Sequence, residues 1–212
     1  IVIFAALASI VVGALGAIGQ QNLKRLLAYS SINNVGFILI GLAAATPAGV
    51  AGVMTYLAIY VAMTVGSFTA LLMLRDPMGQ NLETFDDIAG LSTNRPALAW
   101  CLLALMFSLA GIPPLFGFWG KFVVFQAAVQ ADLVALAAIG IAASVIGAFY
   151  YIKFVKVMFF DDATREVETE SPIGHWIVLG LSVAIISPLG YLLTIPLGEW
   201  SAAAAASFAA AM

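Results

Sequence analysis

Residues 97–130 read ALAWCLLALMFSLAGIPPLFGFWGKFVVFQAAVQ, with a single charged side chain, Lys121, and a Gly-Ile-Pro-Pro interruption at 111–114. As one unbroken helix this stretch is about 50 Å long, far more than a hydrocarbon core of about 30 Å requires. Pro113 and Pro114 supply no N–H, and their rings clash with carbonyls one turn back. Gly111 and Gly117 loosen both flanks. The reading is therefore a membrane span whose helix breaks near its middle, the unwound part absorbing the excess length. Carbonyls freed at membrane depth persist only where protein or water satisfies them, and broken helices mark ion sites in many transporters. A plain proline kink explains the prolines alone. A lysine two turns further on makes the combination specific.

The rest of the chain has the same character. Of 212 residues, 63% are apolar and 9% charged, and the mean hydropathy is +1.08. A soluble domain carries about a quarter charged residues, so lipid rather than water is the solvent for most of this surface. The expected fold is all-α, a polytopic bundle of about six spans at 1–19, 23–45, 49–74, 97–130, 133–160 and 173–197. Together these form one transmembrane domain over residues 1–200, and Ser201–Met212 is an Ala-rich tail, helical or disordered. The chain opens inside an apolar stretch, with no Met and no charged leading region. The expectation is that it begins mid-protein, with further spans upstream. The net charge of −3 makes nucleic acid a poor partner. Cys101 lies alone in an apolar run, which excludes a disulfide framework or a Cys-based metal site.

Basic residues fix the orientation. With six spans, Lys24, Arg25, Arg75, Arg95, Lys153, Lys156 and Arg165 all fall on one face, and the opposite connectors carry none. That is the positive-inside pattern for short loops, which puts 75–96 and 161–172 on the inner side. Within the first of these, Leu82, Phe85, Ile88 and Leu91 recur at helical spacing. They suggest either a short amphipathic helix lying on the interface or a solvated connector.

Lys121 is the eighth basic residue and stands apart. It sits in FGFWGKFVVF (116–125), with no acid within ten residues on either side. A charged lysine near a bilayer centre costs at least about 2.5–3.5 kcal/mol, a penalty carried where the group faces a bundle interior or a hydrated cavity. Burial disfavours the charged form of any amine, which brings proton exchange within reach. The plainer alternative is snorkelling. The amine lies about 15 Å of helix from the outer end of its span, too far for a comfortable reach. Lys121 is thus the leading candidate for proton transfer.

Weaker polar signals surround it. Tyr56, Tyr60, Thr64 and Ser67 share a helical face, as do Ser30 and Asn34, with Ser31 nearby. Such stripes more often serve helix packing than transport, although they also suit ordered water. Lys24 and Arg25 read first as anchors, Lys153 and Lys156 as snorkelling residues, and His175 with Trp176 as an interfacial pair. No phosphate loop, haem-type His pair, Cys cluster or nucleophile triad appears.

Two stretches carry a family resemblance. Residues 20–37 (QQNLKRLLAYSSINNVGF) and 106–125 (MFSLAGIPPLFGFWGKFVVF) resemble the antiporter-like membrane subunits of respiratory complex I, most nearly the subunit N group. Residues 150–160 (YYIKFVKVMFF) look like that family's penultimate helix. The resemblance covers essentially the whole chain. It implies a fourteen-helix fold with two inverted five-helix repeats, of which this chain corresponds to the last six helices. Lys121 matches the family's proton-transferring lysine on its second broken helix, and Lys24 matches a basic residue near the hydrophilic axis, a second relay candidate. The glutamate and lysines of the family's first half have no counterpart here. Many members carry a histidine after the Ser-Ser-Ile motif, where this chain has Asn33 and Asn34, whose amides do not titrate.

By that resemblance the chain translocates protons as a non-redox subunit of NADH–quinone oxidoreductase. It would hold no cofactor itself; NADH, FMN, iron–sulfur clusters and quinone belong to partner subunits. Other complex I membrane subunits and the bilayer are the implied partners. The implied location is a bacterial inner membrane, ahead of the mitochondrial one. The competing reading is a subunit of a multisubunit cation/proton antiporter of shared ancestry.

Overall fold

Proline, glycine and short polar links cut the apolar chain into helices. The computed structural model describes residues 1–168 and 170–210. Its principal helices are α1 (Val2–Ile18), α2 (Leu23–Ala43), α3 (Pro47–Leu72), α4 (Leu91–Asn94), α5 (Pro96–Ala110), α6 (Phe116–Gln130), α7 (Val134–Phe160), α8 (Ile173–Ile186) and α9 (Thr194–Ala210). Among the described residues there are no strands, only isolated bridges between Asn22 and Thr84 and between Arg75 and Asn81. The protein is an integral membrane protein of all-helical class.

Local chemistry sets the helix starts. The Asn22 side chain accepts from the Arg25 amide at 3.0 Å, and Thr46 does the same for Gly49 at 3.0 Å. Pro47 follows that second cap at the first helical position, where its missing N–H is harmless. The three-residue link after Gly19 folds α1 back on α2, and small residues let the two backbones approach. A Cβ on Gly13 would lie 2.4 Å from the Asn33 nitrogen, and one on Gly36 2.6 Å from Ile10. Such close approach drives helix association in lipid. Helix α3 occupies the centre, touching α2, α5, α6, α8 and α9. Val145, Ile146 and Phe149 on α7 and Ile177 and Leu181 on α8 point outward, as an exterior facing acyl chains requires.

By length and composition, α2, α3 and α7 are each long and apolar enough to cross a membrane. The fourth expected span breaks where Gly111, Pro113 and Pro114 stand, giving two 15-residue helices, α5 and α6. The sixth does not run straight as expected over 173–197. It stops at Ile186, passes through a 3₁₀ segment at Pro188–Leu193 and resumes as α9, with a bend of 66°. Pro188 explains the stop, and the Ser187 hydroxyl accepts from the Leu189 amide at 3.2 Å to start the new turn. Helix α9 runs on through residue 200. The Ala-rich tail is thus helical, one of its two expected forms, as far as Ala210, and 211–212 lie outside the described residues. Ser201 is buried and accepts from the Thr55 hydroxyl at 3.1 Å.

The Leu82–Leu91 segment also departs from expectation. It forms a 3₁₀ turn at Asp86–Ile88 rather than an interfacial helix. Leu82, Phe85, Ile88 and Leu91 are buried against the bundle. The Leu23 amide donates to the Glu83 carbonyl at 2.7 Å, and the Phe85 amide to Gln21 at 3.3 Å. The Asp87 carboxylate accepts from the Glu83 and Thr84 amides and the Thr84 hydroxyl, and pairs with Arg165 at 3.1 Å. Those partners outweigh burial and hold the Asp87 carboxyl below its ordinary range. Arg95, 5% exposed, donates to the Met73 carbonyl at 2.9 Å and to Ser171 at 3.1 Å. It thereby ties the end of α3 to the approach to α8.

Candidate site around the buried lysine

The break before α6 is built by glycine. Gly111 has φ +83, a left-handed conformation that closes helices. Its amide donates to Phe107 and Ser108, and the Ile112 amide reaches back to Phe107 at 3.0 Å. Pro113 and Pro114 sit exposed in the turn. Gly117 then brings the first turn of α6 against α5: its amide donates to Ser108 Oγ at 3.1 Å. A Cβ there would lie 2.1 Å from the Ser108 carbonyl oxygen. The two half-helices are thus locked at an angle only glycine permits.

Lys121 lies one turn into α6, buried at 5% exposure. Its Nζ donates to the Ala110 carbonyl at 3.0 Å and to Ser144 Oγ on α7 at 2.9 Å. The Ala110 carbonyl belongs to the last turn of α5, where partial negative charge collects. The Phe37 ring of α2 sits below, 4.8 Å from Nζ to centroid, a favourable position for a cation. Among the described residues no carboxylate lies within ion-pair distance of Lys121. The amine borders a recess of about 740 Å³, walled by Gly111, Phe122 and Phe125 and open to the exterior beside the outward-facing Val145, with Gln126 and Gln130 as further polar groups. The cation is thus held only by neutral acceptors and a ring, beside open space.

A second polar cluster lies along α2, α3 and α7. Asn34 Nδ2 donates to the Tyr151 hydroxyl at 3.1 Å and to the Ser30 carbonyl at 2.9 Å. Asn34 Oδ1 accepts from the Tyr56 hydroxyl at 2.8 Å. Ser30 and Tyr151 share a short hydrogen bond, and Asn33 donates to Tyr150 at 3.1 Å. All six side chains are buried. The expected Ser30, Asn34 and Tyr56 therefore meet in one network. Tyr60, Thr64 and Ser67 continue the same face of α3 beside Ser30 and Ser31.

The network does not touch Lys121. Ser144 and Tyr151 share a face of α7 two turns apart, about 10 Å. Gly147 lies between them, 3.1 Å from Asn33 Nδ2 if given a Cβ. Tyr56 packs on Gly120, beside the lysine. Lys24 is further removed, thirteen residues before Phe37 on α2 or about 20 Å of helix. It is about one-third exposed and pairs with Glu83 at 2.6 Å, so its immediate role is to hold the 75–95 loop. Ser144, Phe37, Tyr150 and Tyr151 do not stand out in the sequence as site residues. For Ser144 a signal existed, a lone hydroxyl in the apolar first half of α7 on the face of Tyr151.

An all-helical membrane bundle with a broken helix and a buried lysine beside the break is the architecture of the antiporter-type membrane subunits. Residues 1–147 match the NADH:quinone oxidoreductase/Mrp antiporter transmembrane family, and the chain belongs to it. It is 76% identical over 207 residues to NADH-quinone oxidoreductase subunit N of Erythrobacter litoralis (strain HTCC2594), covering 98% of this chain and 42% of that protein. The chain thus spans less than half the length of the curated relatives it matches. It also superposes on a chain of respiratory complex I from Thermus thermophilus with bound aureothin. That match has a TM-score of 0.77 and 29% identity, over 91% of this chain and 44% of that one. A chain of the Mrp complex from Dietzia sp. DQ12-45-1b shares the fold alone, with a TM-score of 0.81 and 22% identity over 95% of this chain and 46% of that one.

Proposed function

We propose that this chain serves as part of a proton-translocating membrane subunit of NADH–quinone oxidoreductase, with Lys121 as the group that takes up and releases the proton. The observation that carries the reading is the Lys121 ammonium, buried without an anion between the Ala110 carbonyl, Ser144 and Phe37, at the rim of a recess. A change of electrostatic field in the complex alters the balance between its protonated and neutral forms, because nothing within the site fixes its charge. The 76% identity to a subunit N protein supports this particular complex.

Redox chemistry takes place elsewhere in that complex. NADH, flavin, iron–sulfur clusters and quinone are bound by partner subunits, and this chain contributes no redox step. Its partners are the other membrane subunits, and its location is the bacterial inner membrane, with the basic connectors 75–95 and 161–172 on the inner side. Lys24 acts at that side through its pair with Glu83, and any relay role would pass through the inner loop.

The test uses the intact complex in sealed proteoliposomes, comparing wild type with Lys121→Ala and measuring protons moved per NADH oxidised. A severe loss is expected. An unchanged ratio would overturn the assignment and leave this chain a scaffold. The shared fold with an Mrp chain favours a second reading, a subunit of a multisubunit cation/proton antiporter. Co-purification separates the two, since flavin and iron–sulfur partners belong only to the first.

A further inference from the structure

A small cavity lies between α2 and α3, away from the lysine. Its volume is about 10 Å³, room for one water-sized sphere and no more. Five hydroxyl side chains border it: Ser30 and Ser31 from α2, and Tyr60, Thr64 and Ser67 from α3. Leu27, Phe68 and Leu109 close the apolar sides. Ser67 is 1% exposed, and its Oγ has no hydrogen-bond partner among the described residues. Buried hydroxyls in native proteins are paired as a rule. Ser31 already donates to the Leu27 carbonyl at 2.9 Å, so its oxygen is left as an acceptor. Ser30 belongs to the Tyr151–Asn34 network.

We propose that this cavity is a binding site for a single structural water, held by Ser67 and the facing hydroxyls. That water joins the α3 hydroxyl row to the Ser30–Tyr151–Asn34–Tyr56 network. It gives Ser67 its partner and gives Ser30 a neighbour on the side away from Tyr151. Position in the fold gives the link a direction. Ser67 is five residues from the end of α3 and Ser30 seven from the start of α2, about 8–10 Å of helix. Both ends meet the 75–95 loop. The water therefore stands on the loop side of the network, and Lys121 on the other. A proton can pass among the water and the hydroxyls, each oxygen accepting one proton and giving one to the next, while the Asn34 amide only holds the Tyr56 and Tyr151 hydroxyls in place. The transport role rests on the function proposed above; the occupancy of the site does not.

Two readouts keep these apart. The first is a high-resolution cryo-electron microscopy map of the intact complex in a bilayer mimic. The expected result is a density peak 2.7–3.2 Å from Ser67 Oγ and from at least one hydroxyl of α2. No peak, with Ser67 Oγ turned onto a backbone carbonyl of its own helix, overturns the site. The second is the rate of proton transfer per NADH in proteoliposomes for Thr64→Val, which keeps the shape and removes a hydroxyl, and for Ser67→Val, which fills the cavity. A several-fold fall in both, with assembled complex at wild-type amounts, supports the link. Wild-type rates in a correctly assembled Thr64→Val complex overturn it, even where Ser67→Val fails to assemble. Should Lys121→Ala pump normally while the density is present, the lysine reading alone falls.

Discussion

The ammonium of Lys121 lies 3.0 Å from the carbonyl oxygen of Ala110, so a cation on one half of the broken helix closes the end of the other. Helix α5 ends in carbonyls with no partner inside the helix. Gly111 turns the chain aside just where a continuing helix would have used them. The break and the lysine are thus one device, in which the carbonyl that the break frees becomes an acceptor for the cation.

Gly111→Ala tests that device. The new methyl must adopt φ +83, at a cost of roughly 1–2 kcal/mol for a left-handed residue. It also meets Lys121 Cδ at 2.9 Å. The flexible side chain gives way, so the amine moves off the Ala110 carbonyl. The expected outcome is a lower melting temperature together with a proton-to-NADH ratio well below wild type. A variant that loses stability and keeps its ratio would separate the break from transport.

Ser144→Ala removes one of the two hydrogen-bond acceptors of the ammonium. A hydrogen bond to a charged group contributes about 1.5–3 kcal/mol, enough to alter the balance between the protonated and neutral forms roughly tenfold or more. Pumping is expected to slow while assembly stays intact, and Ser144→Thr, which keeps the hydroxyl, to restore most of it. Equal rates in Ser144→Ala and wild type would assign Ser144 to packing alone.

Asn34→Leu leaves the Tyr56 hydroxyl without its partner inside the bundle and Tyr151 with Ser30 alone. Each unsatisfied buried group costs about 1–3 kcal/mol. Because the two tyrosines share Asn34, the losses do not add independently. Asn34→Leu is expected to lower the melting temperature more than Tyr56→Phe does. Combining the two should recover part of the loss, since both ends of one bond are then apolar. A double variant that is simply the sum of its parts would show that the network is not coupled.

The same residues show how far a sequence reaches. The break at 111–114 was legible because two prolines and two glycines act through the backbone, whatever surrounds them. Pro188 and Gly190 carry the same information, yet the run from Ile173 to Leu197 stays apolar throughout and reads as one span. Composition masked the punctuation. The spacing of Leu82, Phe85, Ile88 and Leu91 fits a helix, but the same four side chains enter the bundle from an irregular loop once Glu83 and Asp87 bind backbone amides. In the polar network, Ser30, Asn34 and Tyr56 were legible from periodicity within α2 and α3. Tyr151 was not, because which faces of α2 and α7 meet is decided by packing between helices; Ser144, beside the lysine and outside that network, showed only as a lone hydroxyl in an apolar run.

The Lys24–Glu83 pair makes docking of the 75–95 loop sensitive to acid. The hydrogen bond from Lys24, then that from Asn22, holds the Glu83 carboxyl below its ordinary value of 4.5. A carboxyl depressed in the folded state contributes stability that is complete above that ordinary value. The contribution fades as pH falls through the lowered one. Asp87 titrates in the same direction and works on the same turn. Hydrogen exchange at the Leu23 and Phe85 amides, which bond across to the Glu83 and Gln21 carbonyls, reports the docking. Protection is expected to be steady at neutral pH and to fall under acid, with a smaller fall in Glu83→Gln and the smallest in Glu83→Gln with Asp87→Asn. High salt should weaken the Glu83 share first, since that pair is about one-third exposed and screened, whereas Asp87 keeps its hydrogen bonds to the turn. Protection that is unchanged by acid in wild type would mean that the buried Leu82, Phe85 and Ile88 hold the loop without the charges.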